Sequence, residues 1–150
     1  MKKKIFLILI LIIGIGLVSG CSRNHSTKKE EKQTNEKGEI STMKITINSK
    51  TYPVHLEENE TTKELLKLLP LELEMNELNG NEKYTYLNTS LPTNSKNPKE
   101  INKGDIYLFG DNCLVLFYKS FKTSYSYTKI GYIDNLEDFG NENIQVRIEK

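Results

Sequence analysis

The chain has 150 residues, 37% of them apolar and 27% charged, which is the composition of an ordinary soluble protein with one sizeable domain and short appendages. Its formal charge is +1, but Lys2, Lys3 and Lys4 lie in a segment that we expect to be removed, leaving 18 basic against 20 acidic residues. A nearly neutral protein lacks the electrostatic attraction that draws basic proteins to nucleic acid, so we expect no nucleic-acid partner.

The first 20 residues have the pattern of a signal peptide. A positive segment precedes an apolar run over residues 5–18, which is shorter than the roughly 20 residues of a membrane-spanning helix. The following "LVSGCS" resembles the lipobox of bacterial lipoproteins. This resemblance implies cleavage before Cys21 and diacylation of its sulfur. An uncleaved anchor, or a plain signal peptide with an unusual cleavage site, is the alternative.

The composition of residues 21–41 predicts a disordered tether that links the lipid to the folded domain. Ile40 is the single large apolar residue of residues 22–40, so the segment cannot bury enough apolar surface to offset the entropy of ordering. His25 is then a solvated linker residue. We expect an extracytoplasmic protein, anchored to the cell membrane through the palmitate-type lipid on Cys21, with one folded domain over residues 42–150 and a monomeric state.

The folded part opens with a hairpin pattern and a helix pattern. Apolar residues alternate over residues 43–47 and again over 52–56, with turn residues between them. Pro53 has no amide hydrogen and predicts an edge strand or a bulge. Thr61 and Glu64 have the spacing of a capping box, which predicts that the helix begins at Thr61.

Strand patterns dominate the rest of the chain. A loop is predicted over residues 88–104, and one short helical turn over residues 135–140. Strands that follow one another through turns favour antiparallel pairing, and closure into a barrel removes exposed edges. We expect a mainly β domain, a closed eight-stranded barrel with one or two short capping helices; an open sandwich is the alternative. The predicted later strands cover residues 71–76, 84–87, 105–109, 113–118, 124–133 and 143–149.

Aromatic residues are dense in "CLVLFYKSFKTSYSYTKIGYI", residues 113–133. The apolar run over residues 113–118 predicts a strand that is covered on both faces, with Cys113 as a small buried side chain. Packing is the usual role of aromatic residues on strands, and a groove for a peptide or small ligand is the functional alternative. The candidate groove residues are Tyr84, Tyr118, Phe121, Tyr125 and Tyr127.

The domain resembles the bacterial cyclophilin-like domain. The segments that carry the resemblance are "MKITIN", "LLKLLPLELEM", "LNGNEKYTYL", "LPTN", "GDIYLFG" and "LVLFYKSFKTSYSYTKIG", in that order. It implies an eight-stranded closed barrel capped by helices. Classical cyclophilins isomerise X-Pro bonds with an arginine beside an apolar groove, whereas this chain has no tryptophan and Arg147, in the last strand, is the domain's one arginine.

These departures leave no catalytic residue to carry over. They favour a non-enzymatic module that binds a peptide or small ligand over a divergent peptidyl-prolyl isomerase that assists the folding of exported proteins. The sequence contains no Walker-type glycine loop, no H-E-x-x-H and no C-x-x-C, so we expect neither a cofactor nor a metal. Glu57, Glu58 and Glu60 form a solvated face before the helix.

Overall fold

The computed structural model describes residues 42–150. The predicted signal peptide over residues 1–20, the lipidation of Cys21 and the tether over residues 21–41 lie outside the described residues. The described segment forms one helix, α1 (Glu60–Lys67), and ten strands. The strands are β1 (Met43–Ile47), β2 (Lys50–Leu56), β3 (Leu71–Leu78), β4 (Glu82–Tyr86), β5 (Glu100–Ile101), β6 (Asp105–Phe109), β7 (Cys113–Phe117), β8 (Phe121–Lys122), β9 (Thr128–Tyr132) and β10 (Ile144–Glu149).

Eight of these strands close into an antiparallel barrel, in the order β1, β10, β3, β4, β7, β6, β9, β2. The two remaining strands, β5 and β8, pair with each other as a separate two-stranded ribbon. The mainly β architecture and the closed eight-stranded barrel confirm the prediction. A single short helix accompanies the barrel in the described segment.

The β1–β2 hairpin follows its predicted alternation. Asn48 and Ser49 connect the strands with φ values of 48° and 70°, the left-handed conformation that tight hairpin turns require. Strand β2 pairs with β1 along most of its length but with β9 only at His55 and Leu56. Pro53 therefore lies where one edge of β2 has no strand partner among the described residues, which agrees with its missing amide hydrogen.

Helix α1 does not begin with the predicted capping box. Its N-cap is Asn59, whose side-chain oxygen accepts a hydrogen bond from the backbone N–H of Thr62 at 2.9 Å. The Thr61 hydroxyl instead donates to the carbonyl of Pro92 at 2.6 Å. The prediction was wrong because asparagine is as good a cap as threonine, and the tertiary contact of Thr61 decides between them.

Alternate side chains of the barrel strands fill the barrel interior. The helix adds Leu65 and Leu66 to this core, and Leu136 joins it from the connection between β9 and β10. The predicted helical turn over residues 135–140 does not form: Asn135 and Gly140 have positive φ values of 53° and 60°, and residues 136–139 between them have no regular secondary structure. Among the described residues, no helix has both the length and the apolar character to cross a membrane.

A second apolar core lies on the outer face of β6 and β7. The loops before β6 and after β7, with the ribbon of β5 and β8, cover that face, so all five residues of β7 are buried as predicted. Strand β9 begins at Thr128 and not at Ser124, because residues 124–127 run as a loop. Tyr127 and Lys96 exchange two backbone hydrogen bonds, of 2.9 and 3.0 Å, that hold this loop in place. The second core contains Ile101, Tyr107, Cys113, Val115, Phe117 and Tyr127.

Candidate ligand-binding groove

The outer face of β4 forms the floor of a groove. Strand alternation places Glu82, Tyr84 and Tyr86 on this face, while Lys83 between them is buried on the opposite side. The register with β7 pairs Tyr84 with Val115, and the register with β3 pairs Glu82 with Leu78. Neighbouring strands therefore continue the same surface on both sides of β4.

This groove, called here the aromatic groove, has a volume of about 310 Å³. It adjoins the second core, since Cys113, Val115 and Tyr127 belong to both. Ten residues line it: Leu78, Asn79, Glu82, Tyr84, Tyr86, Phe109, Cys113, Val115, Tyr125 and Tyr127.

The aromatic groove gathers most of the exposed large apolar side chains of residues 42–150. Four of the five line it, namely Leu78 at 42% exposure, Tyr86 at 65%, Phe109 at 45% and Tyr125 at 63%. The fifth, Tyr132, lies outside the groove and stacks on His55 with ring centroids 4.6 Å apart. Clustered exposed apolar side chains are typical of binding sites, whereas single ones are ordinary.

The rings of the groove support one another. Tyr84 and Tyr86 meet edge to face, with centroids 5.9 Å apart and an interplanar angle of 82°. Phe109 contacts Tyr125 at 6.1 Å and 87°, and Tyr127 at 5.6 Å. Such pairs stabilise a particular ring orientation. Tyr127 is itself buried in the second core, so the exposed ring of Phe109 packs against a side chain that is held in place.

The titratable groups of the groove have shifted pKa values. Burial raises the pKa of the half-buried Glu82 carboxyl, and the nearby negative charge of Glu77 raises it further. Burial, with a smaller contribution from Glu82, raises the pKa of the Cys113 thiol to about 11. Because the thiolate is the nucleophilic form, Cys113 is an inert wall residue at neutral pH.

The comparisons with known proteins identify the family. The family model described as "Cyclophilin-like family" matches residues 45–149. The chain belongs to the cyclophilin-like family. No curated protein matches this cyclophilin-like chain. The solution structure of a hypothetical protein from Archaeoglobus fulgidus is similar at 19% sequence identity and a TM-score of 0.47, covering 72% of this chain and 92% of that one.

The cyclophilin-like barrel brings together three of the five predicted groove residues, Tyr84, Tyr125 and Tyr127. Tyr118 does not reach the groove: it is fully buried in the barrel interior, and its hydroxyl donates to Glu77 Oε1 at 3.2 Å. Phe121 is half-buried against the second core, 5.5 Å from the ring of Phe117, and does not line the groove.

The other seven of the ten described lining residues were not predicted as groove residues from the sequence: Leu78, Asn79, Glu82, Tyr86, Phe109, Cys113 and Val115. The alternation Glu82, Tyr84, Tyr86 was a usable signal, because strand geometry puts all three on the face of Tyr84. Leu78 and Phe109 carried no such signal. They reach the groove through the pairing of β3 with β4 and of β6 with β7, which joins residues distant in sequence.

The domain's arginine lies away from the groove of this cyclophilin-like domain. Arg147 projects from β10 and binds Glu72 Oε1 at 2.9 Å and Glu149 Oε2 at 2.8 Å. Its register partner Glu72 is six residues along β3 from Leu78, a separation of about 20 Å. Among residues 42–150, no group of three histidine, cysteine or acidic side chains is placed to hold a metal ion.

Proposed function

We propose that the cyclophilin-like domain is a non-enzymatic binding module, and that its aromatic groove holds a peptide or a small ligand outside the cytoplasmic membrane. The observation that carries the proposal is the clustering of four exposed large apolar side chains in one concave surface of about 310 Å³. A concave, mostly apolar site with a few polar groups is the usual form of a ligand pocket.

The charge of the groove favours binding over prolyl isomerisation. Catalysis of X-Pro rotation requires a donor that stabilises the twisted amide. None of the ten described residues that line the groove is an arginine, lysine or histidine, and Arg147 is engaged by two carboxylates elsewhere. The hydrogen-bond donors in the lining are the neutral tyrosine hydroxyls and the Asn79 amide, and none has the positive charge of the arginine that classical cyclophilins use.

A lipid on Cys21 is the second part of the proposal. The lipobox-like "LVSGCS" and the polar segment that follows it support an anchored domain beside the membrane. Two acyl chains hold a protein on a bilayer stably, whereas one chain holds it only marginally.

Removal of the Cys21 thiol tests the anchor. In bacteria grown with radioactive palmitate, we expect label on the wild-type chain and none on Cys21→Ser, with the variant released from the membrane fraction. Cys113→Ser is the matched control and should stay labelled, because Cys113 is buried. Equal labelling of wild type and Cys21→Ser would refute lipidation at this residue.

The groove is tested by paired tyrosine variants. Ligands are first selected for the full-length chain in non-ionic detergent from a library of random short peptides. We expect Tyr86→Ala to weaken binding of the selected peptides by about tenfold or more, the effect of removing a central aromatic contact. Tyr132→Ala, which removes an exposed ring outside the groove, should leave the affinity within about twofold of wild type. Equal effects of the two variants would place binding elsewhere.

A further inference from the structure

The aromatic groove contains a carboxylate without a partner. Glu82 is the one charged side chain among the ten described residues that line it, and within residues 42–150 it takes part in no ion pair or side-chain hydrogen bond. The neighbouring Glu77 differs, since it accepts hydrogen bonds from the Tyr118 hydroxyl and the Gly80 amide. Glu82 thus retains its capacity to accept hydrogen bonds inside a half-buried site.

A ligand that meets the faces of the rings lining the groove would find their negative charge density added to that of Glu82. Tyr84, Tyr86, Tyr125, Tyr127 and Phe109 supply five aromatic rings, and the face of each ring carries negative charge density. Several rings together with a carboxylate form a surface that attracts an organic cation and repels anions. The raised pKa of Glu82, caused by burial and by Glu77, fits a carboxylate that has no positive partner in the free protein.

The hydrogen-bonding capacity of Glu82 and the apolar residues of the groove narrow the class of cation. A carboxylate without a donor is best satisfied by a ligand that brings N–H groups, which a primary ammonium does and a quaternary ammonium does not. Leu78 and Val115 offer an apolar wall on either side of β4 for a hydrocarbon stem. A lysine side chain combines such a stem with a primary ammonium.

We propose, building on the proposed peptide-binding function, that the aromatic groove recognises a lysine side chain of a peptide. The ammonium group donates hydrogen bonds to the Glu82 carboxylate and lies against the tyrosine rings, and the methylene stem packs on Leu78 and Val115. The groove then selects its ligand by the ligand's ammonium group as well as by the ligand's apolar surface.

Three peptides that differ at one position test the inference. The probes are N-acetylated, C-amidated Gly-Gly-Xaa-Gly-Gly peptides with lysine, norleucine or trimethyllysine at Xaa, titrated against the full-length chain in non-ionic detergent. The readouts are the ring signals of isotopically labelled tyrosines and the ring-current shift of the protons on the ligand's ε-carbon. We expect the lysine peptide to bind about tenfold or more tightly than the norleucine peptide, with trimethyllysine between them.

Two charge variants complete the test. Glu82→Gln should remove most of the preference for lysine over norleucine. Glu58→Gln, an equal change of charge at an exposed site outside the groove, should preserve it. Equal affinity for lysine and norleucine, an unchanged preference in Glu82→Gln, or no binding of the lysine peptide would overturn the lysine inference. The proposed binding function has its own test: it is refuted if the peptides selected from the library do not perturb the signals of the groove tyrosines.

Discussion

At the scale of single residues, Lys83 of β4 holds the segment between β9 and β10 against the barrel through hydrogen bonds. Its side chain is fully buried, and its ammonium donates to the carbonyls of Gly140 at 2.7 Å and Glu142 at 2.6 Å. The same ammonium lies 4.8 Å from the ring centroid of Tyr118. Buried charges are tolerated when hydrogen bonds of this kind satisfy them.

Replacement of Lys83 measures how much its two buried hydrogen bonds contribute to the free energy of unfolding. Lys83→Met keeps most of the stem but leaves two carbonyls without donors, so we expect the free energy of unfolding to fall by about 2–3 kcal/mol in urea titrations. Lys119→Met is the control, because Lys119 also lies over Tyr118, at 5.3 Å, but is exposed. Its expected cost is below about 0.5 kcal/mol. Equal losses in the two variants would contradict a structural role for the buried hydrogen bonds.

Glu82 should lower stability at neutral pH. Burial raises its pKa above the ordinary 4.5, so the folded chain binds more protons than the unfolded chain between those two pKa values. Stability therefore falls as the pH rises through that interval. Glu82→Gln removes the charge, and we expect its melting temperature to exceed that of wild type at pH 7 and to equal it near pH 4.

Calorimetry at pH 4 and at pH 7 measures this difference, with Glu58→Gln, which removes one charge at an exposed site, as the matched control. A Glu82→Gln variant that is less stable than wild type at pH 7 would mean that the carboxylate has a stabilising partner. Residues that lower stability are often retained where function needs them.

The position of Tyr118 shows what a single strand pattern leaves undetermined. Residues 113–118 are all apolar, so the sequence predicts burial on both faces without telling which face is the barrel interior. In the structure, Leu114, Leu116 and Tyr118 point inward, and Cys113, Val115 and Phe117 point outward. The pairing of β7 with β4 and β6 decides this, and a local pattern does not contain that information.

At the scale of elements, the barrel closes at a narrow junction between β2 and β9. Two residue pairs form it, His55 with Tyr132 and Leu56 with Gly131, and the Glu57 amide adds a hydrogen bond to the Ile130 carbonyl at 2.9 Å. A Cβ atom on Gly131 would lie 2.3 Å from the His55 carbonyl oxygen. Glycine is required here by the close approach of two backbones.

Gly131→Ala should therefore open this junction. We expect a loss of about 2–4 kcal/mol in the free energy of unfolding, because the obstacle is backbone and not a flexible side chain. Gly110→Ala is the comparison: its Cβ meets nothing within 4 Å, and the cost is the strain of a φ near 62°, about 1 kcal/mol. Hydrogen exchange at the Glu57 amide should accelerate in Gly131→Ala and not in Gly110→Ala. The reverse order of costs would contradict the tight junction.

Elements with a strong local apolar pattern, alternating or continuous, were the ones that the sequence predicted well. The β1–β2 hairpin, β3, β4, β6, β7 and β10 follow their apolar patterns. The strand predicted from residue 124 was too long at its start, since Tyr127 serves the second core while Tyr125 remains exposed. Strands β5 and β8, of two residues each, have no pattern to detect and exist through contact with each other.

At the scale of the whole molecule, the barrel provides the rigid support and the loops shape the groove. Antiparallel closure was predictable, because consecutive strands without helical crossovers leave few other ways to cover their edges. The strand order, with β10 between β1 and β3, was not, since it depends on pairing between the two ends of the domain. The groove could not be predicted as a whole for the same reason, because its residues come from β3, β4, β6, β7, the turn between β3 and β4, and the loop after β8.

The most direct test of a binding module as against an isomerase is the exchange rate of a proline peptide. Two-dimensional NMR exchange spectroscopy on an X-Pro peptide, with the full-length chain in non-ionic detergent at one hundredth of the peptide concentration, measures cis–trans interconversion. We predict the uncatalysed rate, with a time constant of tens to hundreds of seconds at 25 °C. Acceleration at this ratio that Tyr86→Ala abolishes and Tyr132→Ala preserves would contradict a non-enzymatic groove.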